Sequence, residues 1–275
     1  MKVQEILNEA KKLTAHFGGK EGSTTTDGKL AATKWAENIT SRDFRQNKRE
    51  RDLCVYLVGN QEGLERHIRD KERMGFTDLS KHKIIERHDL TRKGLLFRQE
   101  ILARRDPDVA KIEIVTTYDD LVEYAKSLPP GSISHLDYDG VKYWGPTLER
   151  EITELFKLNI PNIHLVMETR NFDRTTLTRL KDKYKDDPSM FTMGGRRMGT
   201  VQQGDKAVST RLNVGSALDT VRVIKHEIQT LGTEHGYNVN VYNTTSFSTR
   251  GTKTHDTYPG KDDKSRMMMF VFNKQ

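Results

Sequence analysis

Cysteine is almost missing from this chain: Cys54 is the only one in 275 residues. A single thiol excludes an internal disulfide and a cysteine-based zinc site, and it fits a reducing, cytoplasmic compartment. At the head of an apolar run, Cys54 reads as a small buried hydrophobe. Long hydrophobic runs are missing too. No stretch approaches the roughly 20 residues of a membrane span, and Met1–Leu7 lacks the apolar centre of a signal peptide. Neither a Gly-x-x-x-x-Gly-Lys-Ser/Thr loop nor a Gly-x-Gly-x-x-Gly occurs, which lowers both the P-loop and the dinucleotide readings. His82, His88, His135 and His164 are scattered without metal-ligand spacing, so no metal is expected.

Charge is abundant. Charged residues make up 31% and hydrophobic ones 34%, with a net charge of +7 and a pI near 9.3. That balance favours a polyanionic partner, RNA or DNA, and no membrane. The length allows one large domain plus an extension.

The chain is organised around Ser132–Gly140, Ser-Ile-Ser-His-Leu-Asp-Tyr-Asp-Gly, after a Pro-Pro-Gly break. It reads as a short strand ending in two carboxylates, the place where an open α/β sheet presents chemistry. The competing reading makes Asp137 and Asp139 caps of a turn. Residues 3–15 carry a helical stripe, 17–29 a loop, and 34–52 a polar, partly helical lead-in whose charges suit a solvated face. A continuous apolar run, Leu53–Val58, is the first buried strand, followed by a glycine turn and a helix bearing Leu64 and Ile68. Further strands are expected at Lys83–Glu86, Lys111–Thr117, Ser132–Gly140 and Asn162–Glu168. A basic helix should cover Arg92–Arg104, and Asp119 is a natural N-cap for the helix after the third strand. Pro188–Gly215, with Arg196 and Arg197, reads as a glycine-spotted loop. The last strands, Asn238–Tyr242 and Arg266–Phe272, form an antiparallel pair, and the latter is apolar enough to lie inside the sheet. The expected fold is α/β: a doubly wound, mostly parallel seven-stranded sheet with a C-terminal antiparallel strand pair. Residues 1–52 form a basic, helical extension and 53–275 the Rossmann-like domain.

Five βα units, a helix and a terminal antiparallel pair resemble the class I S-adenosylmethionine-dependent methyltransferases over Leu53–Lys274. The resemblance implies S-adenosylmethionine as cofactor. It places Gly59, Asn60 and Gln61 beneath the methionine part, Glu86 at the ribose hydroxyls and Asp119 at the adenine amine. Asp137, Tyr138 and Asp139 would lie beside the transferred methyl as catalytic residues. Carboxylates suit hydroxyls and amines because these are donors. The chain departs from the family in its first motif, where Asn60 follows Gly59 and the next glycine is Gly63. Its fourth motif is Asp-Tyr-Asp-Gly where nucleic-acid amino-methyltransferases commonly carry Pro-Pro-aromatic. With these departures it resembles a divergent or viral member. The expected activity is methyl transfer to nucleic acid or a nucleic-acid-associated substrate, with Arg92, Lys93, Arg196 and Arg197 on phosphate. The alternative is a catalytically degenerate member that binds nucleic acid or serves as a structural component.

Overall fold

The computed structural model describes residues 27–57, 63–86, 89–118, 120–169, 172–192, 195–203, 206–214, 217–242, 244–246, 253–255, 258–259 and 266–275. It opens on a 20-residue helix, α1 (Asp27–Gln46). Ala32, Ala36, Thr40 and Phe44, four residues apart, fall on one buried face of α1. The charges of 34–52 had pointed to a solvated lead-in. A narrow stripe of small residues instead lets this helix lie close against the sheet.

Five βα units follow. Strand β1 (Leu53–Tyr56) leads to α2 (Leu64–Arg73), β2 (His82–Ile85) to α3 (Asp89–Ala103), and β3 (Glu113–Val115) to α4 (Leu121–Ser127). Then come β4 (Ile133–Tyr143), α5 (Pro146–Lys157), β5 (Asn162–Glu168) and α6 (Arg174–Lys183). The first five strands pair in parallel in the order β3-β2-β1-β4-β5. Such pairing needs crossover helices, and these cover both faces.

After α6 a hairpin forms from β6 (Gly195–Gln203) and β7 (Lys206–Val214), so Arg196 and Arg197 lie in a strand, not a loop. The β-branched residues Thr200, Val201, Val208 and Thr210 favour this over the loop that the glycines suggested. Helix α7 (Thr220–Glu234) returns the chain to the sheet at β8 (Tyr237–Val241). The long connection then holds β9 (Thr244–Ser246), β10 (Lys253–His255) and β11 (Tyr258–Pro259).

The final strand, β12 (Arg266–Lys274), enters between β5 and β8 and runs antiparallel to both. Met268–Phe272 are buried, as a strand hydrogen-bonded on both sides requires. The strand order therefore agrees with the expected doubly wound sheet. Two-residue β11 is an addition, pairing with the start of β12. Apolar side chains of β4, β5 and β12 pack one face of the sheet against α4–α7. On the other face, under α1–α3, β1 and β2 contribute Cys54, Tyr56 and Ile84, while β5 and β12 contribute Val166, Met269 and Val271.

Candidate functional site

Strand alternation divides the Asp-Tyr-Asp segment between the two faces. Asp137 and Asp139 line a cleft roofed by α1 and α2, whereas Tyr138 packs with the opposite core and donates its hydroxyl to Glu151 at 2.7 Å. The structure thus brings Asp137 and Asp139 together and leaves Tyr138 apart. Strand β4 also continues through Tyr143, with register shifts after Tyr138, so neither aspartate caps a turn at its end.

Helix α2 supplies the partner of Asp137. Leu64, His67, Ile68 and Lys71, spaced i, i+3, i+4 and i+7, form its buried stripe. Two of those four are polar, His67 and Lys71, and they line the same cleft as Asp137 and Asp139. Lys71 Nζ lies 2.5 Å from Asp137 Oδ2 and 3.1 Å from His135 Nε2. It also stands over the Tyr56 ring, 5.5 Å from its centroid. The pairing across β4 and β5 sets Asp137 beside His164, and Asn162 takes up the network from there. Asn162 donates to Asn273 Oδ1 at 2.7 Å, which leaves its Oδ1 to accept from His135 Nδ1 at 2.5 Å. His135 is therefore neutral, donating through Nδ1 and accepting from Lys71 at Nε2. Thr40, from α1, closes the network at 2.7 Å from His164 Nε2.

Burial sets the protonation of these groups. Desolvation lowers His164 and His67 to about 3 and His82 to about 4, and it depresses His135 as well. For Asp137 burial acts upward, but the Lys71 ammonium overrides it and holds the carboxyl well below its usual range. Lys71 in turn is raised: burial opposes its charge and Asp137 more than restores it.

His135, Asp137 and His164 offer ligand atoms within 4.8 Å of one another, which the spacing of histidines along the sequence does not reveal. The cation among them is the ammonium of Lys71, bonded to two of the three. The cleft is also lined by Glu37, Arg66, His67, Asp70 and Asp139, and its volume is about 20 Å³. That is room for a group or two the size of water.

The other expected site residues stand elsewhere. Glu86 is buried directly after β2, and its carbonyl accepts from Arg92 at 3.4 Å. Gly59, Asn60, Gln61 and Asp119 lie outside the described residues. The cap of α4 is Asp120, not Asp119: its carboxylate accepts from the amides of Val122 and Glu123, the donors an N-cap satisfies. Arg92 and Lys93 share one carboxylate, that of Asp89, at 3.2 and 2.9 Å. Arg196 and Arg197 pair along the hairpin with Asn213 and Leu212.

Sheet order and the inserted final strand together make the fold that the methyltransferase resemblance implies. No family model matches the chain, and no curated protein does. Among solved structures it is similar to an S-adenosylmethionine-dependent methyltransferase from Clostridium acetobutylicum ATCC 824. The identity is 10% over 96% of this chain and 99% of that one, with a TM-score of 0.42. It is also similar to the plantazolicin methyltransferase BamL, solved with a triazolic desmethylPZN analogue and SAH, at 9% identity, 98% and 91% coverage and a TM-score of 0.46. A third similar structure is the magnesium protoporphyrin IX methyltransferase of Synechocystis PCC 6803 with SAH, at 10% identity, 96% and 93% coverage and a TM-score of 0.38. No helix among the described residues is long and apolar enough to cross a membrane.

Proposed function

We propose that this chain is an S-adenosylmethionine-dependent methyltransferase acting on nucleic acid or a nucleic-acid-associated substrate in the cytoplasm. The observation that carries the reading is the insertion of β12 antiparallel between β5 and β8, which completes the strand order of that enzyme class. Fold alone does not establish activity, so the residues must fit the ligand. Donor chemistry supports the reading: Glu86, buried after β2, is an acceptor suited to ribose hydroxyls. The cofactor, when bound, supplies a methyl already activated on a sulfonium.

In this reading Glu86 accepts from the ribose hydroxyls, Asp119 takes the adenine amine, and the Gly59-Asn60-Gln61 turn passes under the methionine part. Asp139 lines the entry for the acceptor. Asp137, bound to Lys71, stays ionised and fixes the strand end, which makes it a poor proton acceptor. Tyr138 ties β4 to α5 through Glu151 from the other face. Arg92, Lys93, Arg196 and Arg197 meet phosphate, with the charge of Arg92 and Lys93 partly offset by Asp89.

A charge-assisted bond to a desolvated ligand is worth roughly 1.5–3 kcal/mol, so Glu86→Ala should weaken S-adenosylmethionine binding about 10- to 100-fold. Equal affinity in the variant would remove Glu86 from the site. Nucleic-acid binding should fall steeply with salt and weaken further in the Arg196→Ala/Arg197→Ala double variant. A flat salt dependence in a filter-binding assay would redirect the acceptor to a protein or small molecule. The departure at Gly59-Asn60, with no further glycine until Gly63, favours a second reading in which the fold is kept for nucleic-acid binding without catalysis.

A further inference from the structure

The hairpin β6–β7 is separate from the sheet that carries the site. Its strands, nine residues each, pair with one another and, among the described residues, with no other strand. Such strands are roughly 30 Å long. Both ends of the hairpin leave the body at one anchored point. Phe191 bridges Leu218, and the amide of Thr192 donates to the Ala217 carbonyl at 2.7 Å. Helix α7 starts there and runs back along β8, with Gly232 against Val239 and its carboxyl end turning into that strand. Strands β5 and β8 both run antiparallel to β12, so they are parallel to each other. Helix α7 therefore begins, and the hairpin emerges, at the carboxyl edge of the parallel strands, where Glu86 follows β2. The two hairpin strands carry Arg196, Arg197, Lys206 and Arg211 and no acidic or aromatic residue. Residues directly opposite share a face, as does every second residue along a strand. Arg196 stands opposite Asn213, Met198 opposite Arg211, Thr200 opposite Ser209 and Gln202 opposite Ala207. That register puts Arg196, Thr200, Gln202, Ser209, Arg211 and Asn213 on one face, and Val201, Val208, Leu212 and Val214 on the other.

We propose that the polar face of this hairpin reads double-stranded DNA in the major groove. The inference rests on the nucleic-acid reading above and names the partner within it. A major groove about 12 Å wide admits a two-stranded ribbon. Arginine pairs there with guanine, and asparagine and glutamine pair with adenine, so Arg211, Gln202 and Asn213 contact base edges. Arg196 and Arg197 hold the adjacent phosphates. The uniform positive charge of the strands matches a polyanion. Duplex RNA fits worse, because its major groove is too deep and narrow for side chains to read. Single strands are held by stacking on aromatic rings, and neither hairpin strand has one.

Selection by the full chain from a pool of randomised duplex DNA tests the proposal and should enrich a short preferred site. Fluorescence anisotropy should then show that site bound about tenfold or more tighter than an unrelated duplex, single-stranded DNA or duplex RNA of the same sequence. Arg211→Ala and, separately, Gln202→Ala/Asn213→Ala should weaken binding to the preferred site about 10- to 100-fold. Unrelated duplexes should change by no more than about threefold, since the loss is of base contacts. The Arg196→Ala/Arg197→Ala double variant should instead weaken all duplexes alike. No preferred site, equal binding of duplex RNA or single strands, or an unchanged preference in both base-contact variants would overturn the hairpin's role while leaving the nucleic-acid reading in place. A wild-type chain that binds no nucleic acid of any kind would overturn both. S-adenosylmethionine titrated separately into the same samples reports on the cofactor alone.

Discussion

Replacing Lys71 with methionine should cost about 3–5 kcal/mol of folding stability. Methionine matches the length of the lysine stem, so packing under α2 is largely kept and the loss isolates the charge. Asp137 would then lie in a buried position with no cation, while His135 Nε2 would lose its donor. Surface ion pairs are worth little because water competes for both partners. This pair differs, since the Lys71 side chain is 3% exposed and that of Asp137 is 12%. A Lys71→Met/Asp137→Leu double variant should recover much of the loss, because removing both charges also removes their desolvation cost. Urea titrations of the three proteins check this. A single-variant loss below about 1 kcal/mol would mean that the pair is solvated and that Asp137 is not held as described.

Acid should destabilise the fold well before its carboxylates titrate. His67, His82, His135 and His164 have folded pKa values depressed below the ordinary 6.5. Below 6.5 the unfolded chain takes up protons that the folded chain refuses, so stability falls with pH towards the folded values, about 3 for His67 and His164 and about 4 for His82. His67, His82 and His164 each cost about 2 kcal/mol between pH 7 and pH 5, and His135 acts in the same direction. Glu37 acts with the opposite sign. Its folded pKa is raised to about 7, so the folded chain binds its proton first and gains stability as pH falls from 7 towards 4.5. That returns about 2 kcal/mol at pH 5 against about 6 kcal/mol from His67, His82 and His164, leaving a net loss of roughly 4 kcal/mol to which His135 adds, a large part of the stability of a whole domain. Only below 3.8 does protonation of Asp137 add to the loss. Denaturant midpoints at pH 7, 6 and 5 should fall in order. A flat or rising series would show that the histidines accept protons in the folded state.

Sheet order was legible because it is written in local pattern. Apolar runs such as Leu53–Val58 and Met267–Phe272 mark strands buried on both faces, and their alternation with helical stripes leaves few topologies open. The helix α1 was hidden by its charges. Its contact face is the four-residue rhythm Ala32, Ala36, Thr40, Phe44, whose small members weigh little in a hydrophobic pattern. The acidic strand was read, though it runs on past Asp139 to Tyr143, and the partners of its aspartates were not. Lys71 and His67 share the stripe of Leu64 and Ile68, and a lysine on such a face signals a buried anion opposite. His135, His164, Asn162 and Thr40 meet only through the β4–β5 pairing and the placement of α1, contacts more than 100 residues long in the case of Thr40. Spacing along a sequence carries no trace of those.

A calorimetric titration of S-adenosylmethionine into the full chain, repeated with Glu86→Ala, tests the methyl-transfer account most directly. The account predicts saturable binding of one molecule per chain, weakened about 10- to 100-fold in the variant. A folded wild-type protein that binds no S-adenosylmethionine would contradict it.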